Sequence, residues 1–203
     1  PPRSTQSRSS AASDVYKRQA CTLNAMDRVS LAAGERVLIL GGGPVGLLMG
    51  LAVITGGAYP LVVEPDPSKL RKSAGFRLRT GIEAAASPGR NHWDVVVNAT
   101  PHAAALLEYV PRIRAGGRFC LFSALTTSEN LPVSWLNEFH YREIQLSGAY
   151  GCTRRQMRRA LGILEVHRKG VEALIENTVS LDGVEDALTA VWEGGVLKMV
   201  VRI

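Results

Sequence analysis

Residues 36–64 constrain the fold more than any other stretch of this chain. An apolar, strand-like run, Val37–Leu40, ends in Gly41-x-Gly43-x-x-Gly46. A helix-like segment follows, and a second apolar run, Leu61–Val63, ends in Glu64. A strand, a glycine-rich turn, a helix and a strand ending in an acid are the order a dinucleotide-binding βαβ unit requires. Gly41 permits the tight turn after the strand. Gly43 has no Cβ, so a pyrophosphate can approach the backbone there. Gly46 lets the helix pack close to the sheet. Pro44 suits the first helical position. Together with Val45 it opens a helix whose free N–H groups and dipole face the phosphates. Glu64 lies 18 residues beyond Gly46, about where a carboxylate grips a ribose diol. A glycine-rich turn alone is a weak signal. The flanking strand, helix and acid make dinucleotide binding the reading to test against a merely structural turn.

No charge occurs between Arg36 and Glu64, a span long enough to cross a bilayer. However, Gly41–Gly43 with Pro44 would break a spanning helix, and Gly56-Gly57 and Pro60 break it again. A strand buried on both faces of a parallel sheet is apolar throughout for the same reason a membrane span is. The soluble reading is therefore preferred.

Residues 9–19, Ser-Ser-Ala-Ala-Ser-Asp-Val-Tyr-Lys-Arg-Gln, back-translate to a transposase adapter used in sequencing libraries. Residues 1–19 are accordingly read as an artefact, expected to be disordered, and set aside from fold reasoning. The natural sequence would then enter at Ala20. The segment carries Arg3, Arg8, Lys17 and Arg18 against Asp14. Without it Lys+Arg falls from 24 to 20 and Asp+Glu from 18 to 17, so net charge falls from +6 to +3. Half of the basic balance disappears, and with it the charge argument for a nucleic-acid partner. Cys21, Cys120 and Cys152 are isolated in sequence, which gives no zinc motif and no disulfide framework and suits a reducing cytoplasm.

The rest of the chain alternates strand and helix. The pattern predicts a helix over Ala20–Val29, a strand over Arg36–Leu40, a helix over Pro44–Thr55 and a strand over Leu61–Glu64. A short helix starts at Ser68–Ser73, and a weakly patterned third strand lies near Leu78–Ile82. Trp93–Asn98 reads as a buried strand and Ala103–Arg112 as a helix. Gly116-Gly117 then turns into the strand Arg118–Ser123, and Ile144–Ala149 is the last strand of the block. The expected fold class is α/β, a doubly wound parallel sheet with right-handed crossovers. Beyond residue 150 the pattern changes. Thr153-x-x-Gln156 reads as a capping box for a helix to His167. A strand over Thr178–Leu181, a helix capped by Asp182-x-x-Glu185 and a strand over Leu197–Ile203 follow.

Several segments together resemble the medium-chain, zinc-type alcohol and polyol dehydrogenases, the sorbitol and threonine dehydrogenase branch in particular. They are residues 33–46, 93–100 (Trp-Asp-Val-Val-Val-Asn-Ala-Thr), 114–122, 140–153 and 195–201 (Gly-Val-Leu-Lys-Met-Val-Val). The resemblance implies a Rossmann domain over 20–150. It also implies that 151–203 is the C-terminal part of an otherwise missing GroES-like catalytic domain, leaving apolar surface exposed. That missing part would carry the zinc ligands and proton relay, so no catalytic or metal-binding residue is expected in this chain.

Further roles follow from the resemblance alone. Lys69 matches a lysine near the adenosine ribose, with a solvated surface lysine as the plainer alternative. Ala99 and Thr100 match a loop walling the adenine side, where Pro101 replaces the family's frequent glycine. Ser123 and Ala124 end the strand that presents backbone groups to the nicotinamide carboxamide. Lys198 matches a basic residue reaching the pyrophosphate, or is an exposed strand lysine. Glu64 would repel a 2′-phosphate, which favours NAD over NADP. Arg154, Arg155, Arg158 and Arg159 crowd one helix start, where the dipole disfavours cations. Ion pairs to the missing domain or a subunit partner are preferred there over a phosphate site. His92, His102, His140 and His167 have no ligand spacing and are read as structural.

The implied function is NAD-dependent hydride transfer between nicotinamide and a small alcohol or polyol, in a cytoplasmic homodimer or homotetramer, with this fragment holding the cofactor half. A zinc-independent, quinone-reductase-type relative stays open. No Tyr-x-x-x-Lys supports a short-chain dehydrogenase. From other classes, a stand-alone nucleotide-sensing module keeps the same fingerprint. An S-adenosylmethionine-dependent methyltransferase usually has an acid before its glycines, where this chain has Ile39-Leu40.

Overall fold

The computed structural model describes residues 4–72, 76, 78, 80–81, 92–126, 132–175, 177–193, 196 and 199–202. Six parallel strands form one sheet: β1 (Arg36–Leu40), β2 (Tyr59–Val63), β3 (Thr80–Gly81), β4 (Trp93–Asn98), β5 (Ile113–Leu121) and β6 (Gln145–Gly148). Their spatial order is β3-β2-β1-β4-β5-β6. The chain winds outward from β1 in one direction and then from β4 in the other, which is the doubly wound dinucleotide-binding topology. The order reverses between β1 and β4, and a crevice opens there at the carboxyl ends of the strands.

Two-sided burial explains the apolar runs. Val37 and Ile39 of β1, Val62 of β2 and Val95 and Val97 of β4 enter one core with α1 (Ser4–Arg28) and α2 (Pro44–Thr55). Leu38, Leu40, Leu61, Val63 and Val96 enter the opposite core. Leu106 and Tyr109 of α4 (Ala103–Tyr109) and Trp135 of α5 (Val133–Tyr141) close that second face. Phe119, Trp135 and Phe139 meet there edge to face, with Trp135 and Phe139 4.6 Å apart at their centroids.

Helix α1 runs from Ser4 to Arg28 without interruption. Val15, Gln19, Leu23 and Met26 recur at helical spacing and are all buried, which extends the core-facing stripe back past Ala20.

Helix α6 (Arg154–Val166) begins with the expected capping box, Thr153 and Gln156 bonding each other reciprocally. It lies against α1, and its Ala160 and Ile163 join the first core. The packing therefore runs across residue 150 without a break. Asp27 of α1 takes Arg159 at 2.8 Å and Arg155 at 3.3 Å, so two of the four clustered arginines find their acid within this chain. Burial alone would raise the Asp27 carboxyl. The Arg159 and Gln156 hydrogen bonds outweigh it and hold the group below its ordinary range.

After the short helix α7 (Arg168–Glu172), β7 (Asn177–Ser180) pairs in parallel with β8 (Met199–Arg202). Between them, α8 (Val184–Trp192) starts from Gly183 with no side-chain cap. Asp182 lies in the 3₁₀ turn before it, so the expected Asp182 cap is not made. Leu188, Val191 and Trp192 of α8 are exposed, Trp192 at 91%, and Leu161 and Val166 of α6 are exposed as well. Among the described residues no helix is long and apolar enough to cross a membrane.

Candidate cofactor-binding site

Each glycine of the turn has its own reason to be glycine. Gly41 has φ +109°, and its N–H donates to the Val63 carbonyl at 2.8 Å. A Cβ there would fall 2.8 Å from the Ala99 carbonyl oxygen. At Gly46 a Cβ would lie 1.8 Å from the Gly41 carbonyl oxygen, so only glycine lets α2 start this close to β1. At Gly43 a Cβ would meet nothing within 4 Å. Among the described residues no contact requires glycine at 43, and the space beside it is open. Pro44 is the first residue of α2 and Gly43 its N-cap, with no side chain bonding the helix start. The first N–H groups of α2 have no intrahelical acceptor.

Glu64 follows β2 directly and is 6% exposed. Its Oε2 accepts the Gly42 N–H at 2.8 Å, and its Oε1 accepts the Asp66 N–H at 3.1 Å. The acid thus fastens the glycine turn to the end of β2. Gly42, which sequence reasoning passed over, is tied to this contact, since a Cβ would come 2.8 Å from the Glu64 Cβ. Asp66 in turn accepts the Ser68 N–H at 2.8 Å at the start of α3 (Pro67–Lys72). The Ser68 hydrogen bonds, with the nearby Lys69 charge, hold the Asp66 carboxyl below its ordinary range.

Gly41, Gly43, Glu64, Lys69, Ala99 and Thr100 line one cleft of about 610 Å³ at the carboxyl ends of β1, β2 and β4. Asp66, Pro101, His102, Glu108 and Tyr109 share its wall. His102, read as structural, therefore faces the crevice. Pro44, Val45 and Gly46 begin α2 beside the cleft. Ser123 and Ala124 stand past the end of β5, outside the lining of the cleft. The Ser123 N–H already donates to the Asn98 carbonyl at 3.0 Å, and the Ser123 carbonyl accepts from Asn98 Nδ2 at 3.0 Å. Fully buried Asn98, unremarked in the sequence, ties the ends of β4 and β5 together and accepts the Thr100 N–H at 3.3 Å. Its position as the one polar residue ending an apolar strand was the available signal. Lys198 lies outside the described residues. Among the described residues no group of three or more His, Cys, Asp or Glu side chains could hold a metal ion.

One curated protein and two solved structures are similar to this chain. The chain is 26% identical over 169 residues to D-altritol 5-dehydrogenase of Agrobacterium fabrum, covering 80% of this chain and 50% of that one. The resemblance to medium-chain polyol dehydrogenases holds in sequence and in fold. The solved structure of L-idonate 5-dehydrogenase from Escherichia coli superposes with TM-score 0.81 at 19% identity, over 93% of this chain and 56% of that chain. A structure from Sinorhizobium meliloti, assigned as a zinc-binding dehydrogenase and bound to NADP, gives 0.76 at 22% identity, over 86% and 54%. No protein-family model matches the chain. The chain spans about half the length of the curated relative it matches.

Proposed function

We propose that this chain is the cofactor-binding part of an NAD-dependent dehydrogenase acting on a small alcohol or polyol. The carrying observation is the cleft in which an open Gly43 backbone and the start of α2 face the buried carboxylate of Glu64. Bound NAD would supply the hydride acceptor, its nicotinamide ring. The chain's own residues bind and orient it. Gly41, Gly43, Pro44, Val45 and Gly46 present backbone to the pyrophosphate. Glu64 accepts the adenosine ribose hydroxyls, and its charge repels a 2′-phosphate, which supports NAD over NADP. Ala99 and Thr100 wall the adenine side, and Lys69 stands by the ribose. Ser123, Ala124 and Lys198 are proposed at the nicotinamide and pyrophosphate ends on the resemblance alone.

The zinc that the resemblance implies does not fit the described residues, which offer it no ligand set. The resemblance assigns substrate activation to a catalytic domain of which residues 151–203 would be the C-terminal part. The exposed Leu188, Val191 and Trp192 support that placement. Edge strand β6, with Leu146 51% exposed, supports pairing of two copies, and three free cysteines support a reducing cytoplasm.

The test is to recover the coding sequence around this chain, express the whole protein and assay NAD reduction over a panel of polyols. NAD reduction with at least one polyol is expected from the whole protein and none from these 203 residues. A whole protein that binds NAD and reduces it with no alcohol or polyol would leave a nucleotide-sensing module instead.

A further inference from the structure

We propose that Cys21 and Cys152 form an oxidisable dithiol whose disulfide clamps α1 to the loop leading into α6.

The register of the two helices brings the cysteines together. Gln156 Nε2 reaches Asn24 Oδ1 at 3.1 Å and Asp27 Oδ2 at 2.9 Å, and Arg159 reaches Asp27 at 2.8 Å. The helices therefore advance side by side in the same direction, 24 with 156 and 27 with 159. One turn back on both, position 21 falls beside 152–153. Asn24 Nδ2 donates to the Tyr150 carbonyl at 3.3 Å and fixes the intervening loop, which turns at Gly151 with φ +73°. Cys152 packs on the core that includes Ala20 and Leu23 of α1. The two thiols are close enough to perturb each other, and both are partly exposed. Burial, and then the neighbouring Cys152, push the Cys21 thiol up. Cys120 is fully buried and its thiol is pushed up to about 12, so it stays inert.

The oxidant is a small-molecule disulfide such as oxidised glutathione. The Cys152 thiolate attacks the glutathione S–S bond and releases one glutathione thiolate, giving a mixed disulfide. The Cys21 thiolate then attacks Sγ of Cys152, and the second glutathione leaves. Both cysteines are oxidised, one glutathione disulfide is reduced to two thiols, and the protons lost by the cysteines pass to them or to solvent. The bond joins positions 131 residues apart, so it restricts the unfolded chain strongly and raises the unfolding temperature. Cys152 follows β6 at the carboxyl edge of the sheet, the same edge as the Gly41 turn. The clamp thus fixes a loop on the cofactor side.

The 203-residue protein is incubated natively with oxidised glutathione, denatured, and its thiols counted and mapped. The expected result is a fall from three free thiols to one, a mass lower by two hydrogens, a single Cys21–Cys152 cross-linked peptide and a higher Tm, all reversed by dithiothreitol. Cys152→Ser should form no intramolecular bond. Three unchanged thiols, stable glutathione adducts without cross-linking, or a bond to Cys120 would each overturn the proposal. The peptide map on the unmutated chain decides this even if a variant misfolds.

Discussion

Gly46→Ala and Gly43→Ala separate a glycine required by packing from one required by a ligand. At 46 the added methyl carbon would sit 1.8 Å from the Gly41 carbonyl oxygen and 3.0 Å from its carbon. Ordinary contact needs more than an ångström of extra room, and the obstacle is backbone. Relief must come from sliding α2, yet Gly46–Val53 of that helix are buried without a break. Overpacking of this kind costs about 1–3 kcal/mol, and a rigid obstacle puts this site at about 3. For a chain of this length that lowers Tm by roughly 6–12 °C. At 43 the methyl carbon meets nothing within 4 Å, and φ is −69°, open to alanine. Gly43→Ala should therefore leave Tm unchanged or raise it by up to about 1 kcal/mol equivalent. It should also weaken NADH binding at least about tenfold, by occupying the phosphate's approach. Thermal melts by circular dichroism and NADH titration give both numbers. A Gly46→Ala protein melting with the parent, or Gly43→Ala losing as much stability as Gly46→Ala, would refute the packing argument.

Three other perturbations have definite outcomes. Arg118 donates to the Val29 and Ser30 carbonyls at 2.9 and 3.1 Å and pairs with Glu35, both side chains being mostly buried. Arg118→Ala orphans all three acceptors and should cost about 2–3 kcal/mol in urea denaturation; a loss under about 0.5 would show the pair to be surface-like. Asp94 is pushed up by burial, but the Arg36 N–H at 2.8 Å and Arg114 Nε at 2.6 Å more than offset this and hold its pKa below the ordinary value. Its stabilisation is thus present above about pH 4 and lost as pH falls through the lower folded value. Asp94→Asn should lower Tm at pH 7 and flatten the decline from pH 5 to 3, and an unaltered slope would contradict this. Glu64→Ser with an adjacent arginine should raise NADPH affinity relative to NADH, and an unmoved ratio would remove Glu64 from the ribose.

What the sequence disclosed follows from how local each signal was. β1, β4 and α2 have the bounds expected of them, because strands buried on both faces are apolar throughout and Pro44 and Gly56 punctuate the helix. β5 was misread. Gly116-Gly117 looked like a turn before a strand from 118, but the strand starts at Ile113, and its pairing with β4 jumps from Trp93–Ile113 to Val95–Arg118. Glycines inside a strand mark an irregularity of this kind. At Gly117 a Cβ would fall 2.5 Å from Ile113 Cγ2. α5 was missed because its start, Pro132, bonds no side chain to the helix, leaving only Trp135 and Phe139 as a weak stripe. The glycine turn and the acid ending β2 were legible through spacing, and Gly41, Gly43 and Glu64 do line one cleft. The Gly42–Glu64 bond and the Asn98 tie depend on distant segments meeting, which no local pattern encodes.

The most direct test of the account is calorimetric titration of the purified chain with NADH, NADPH and S-adenosylmethionine in parallel. The account predicts one NADH site per chain, weaker NADPH binding and no heat from S-adenosylmethionine. Saturable S-adenosylmethionine binding, or no binding of either nicotinamide, would contradict it.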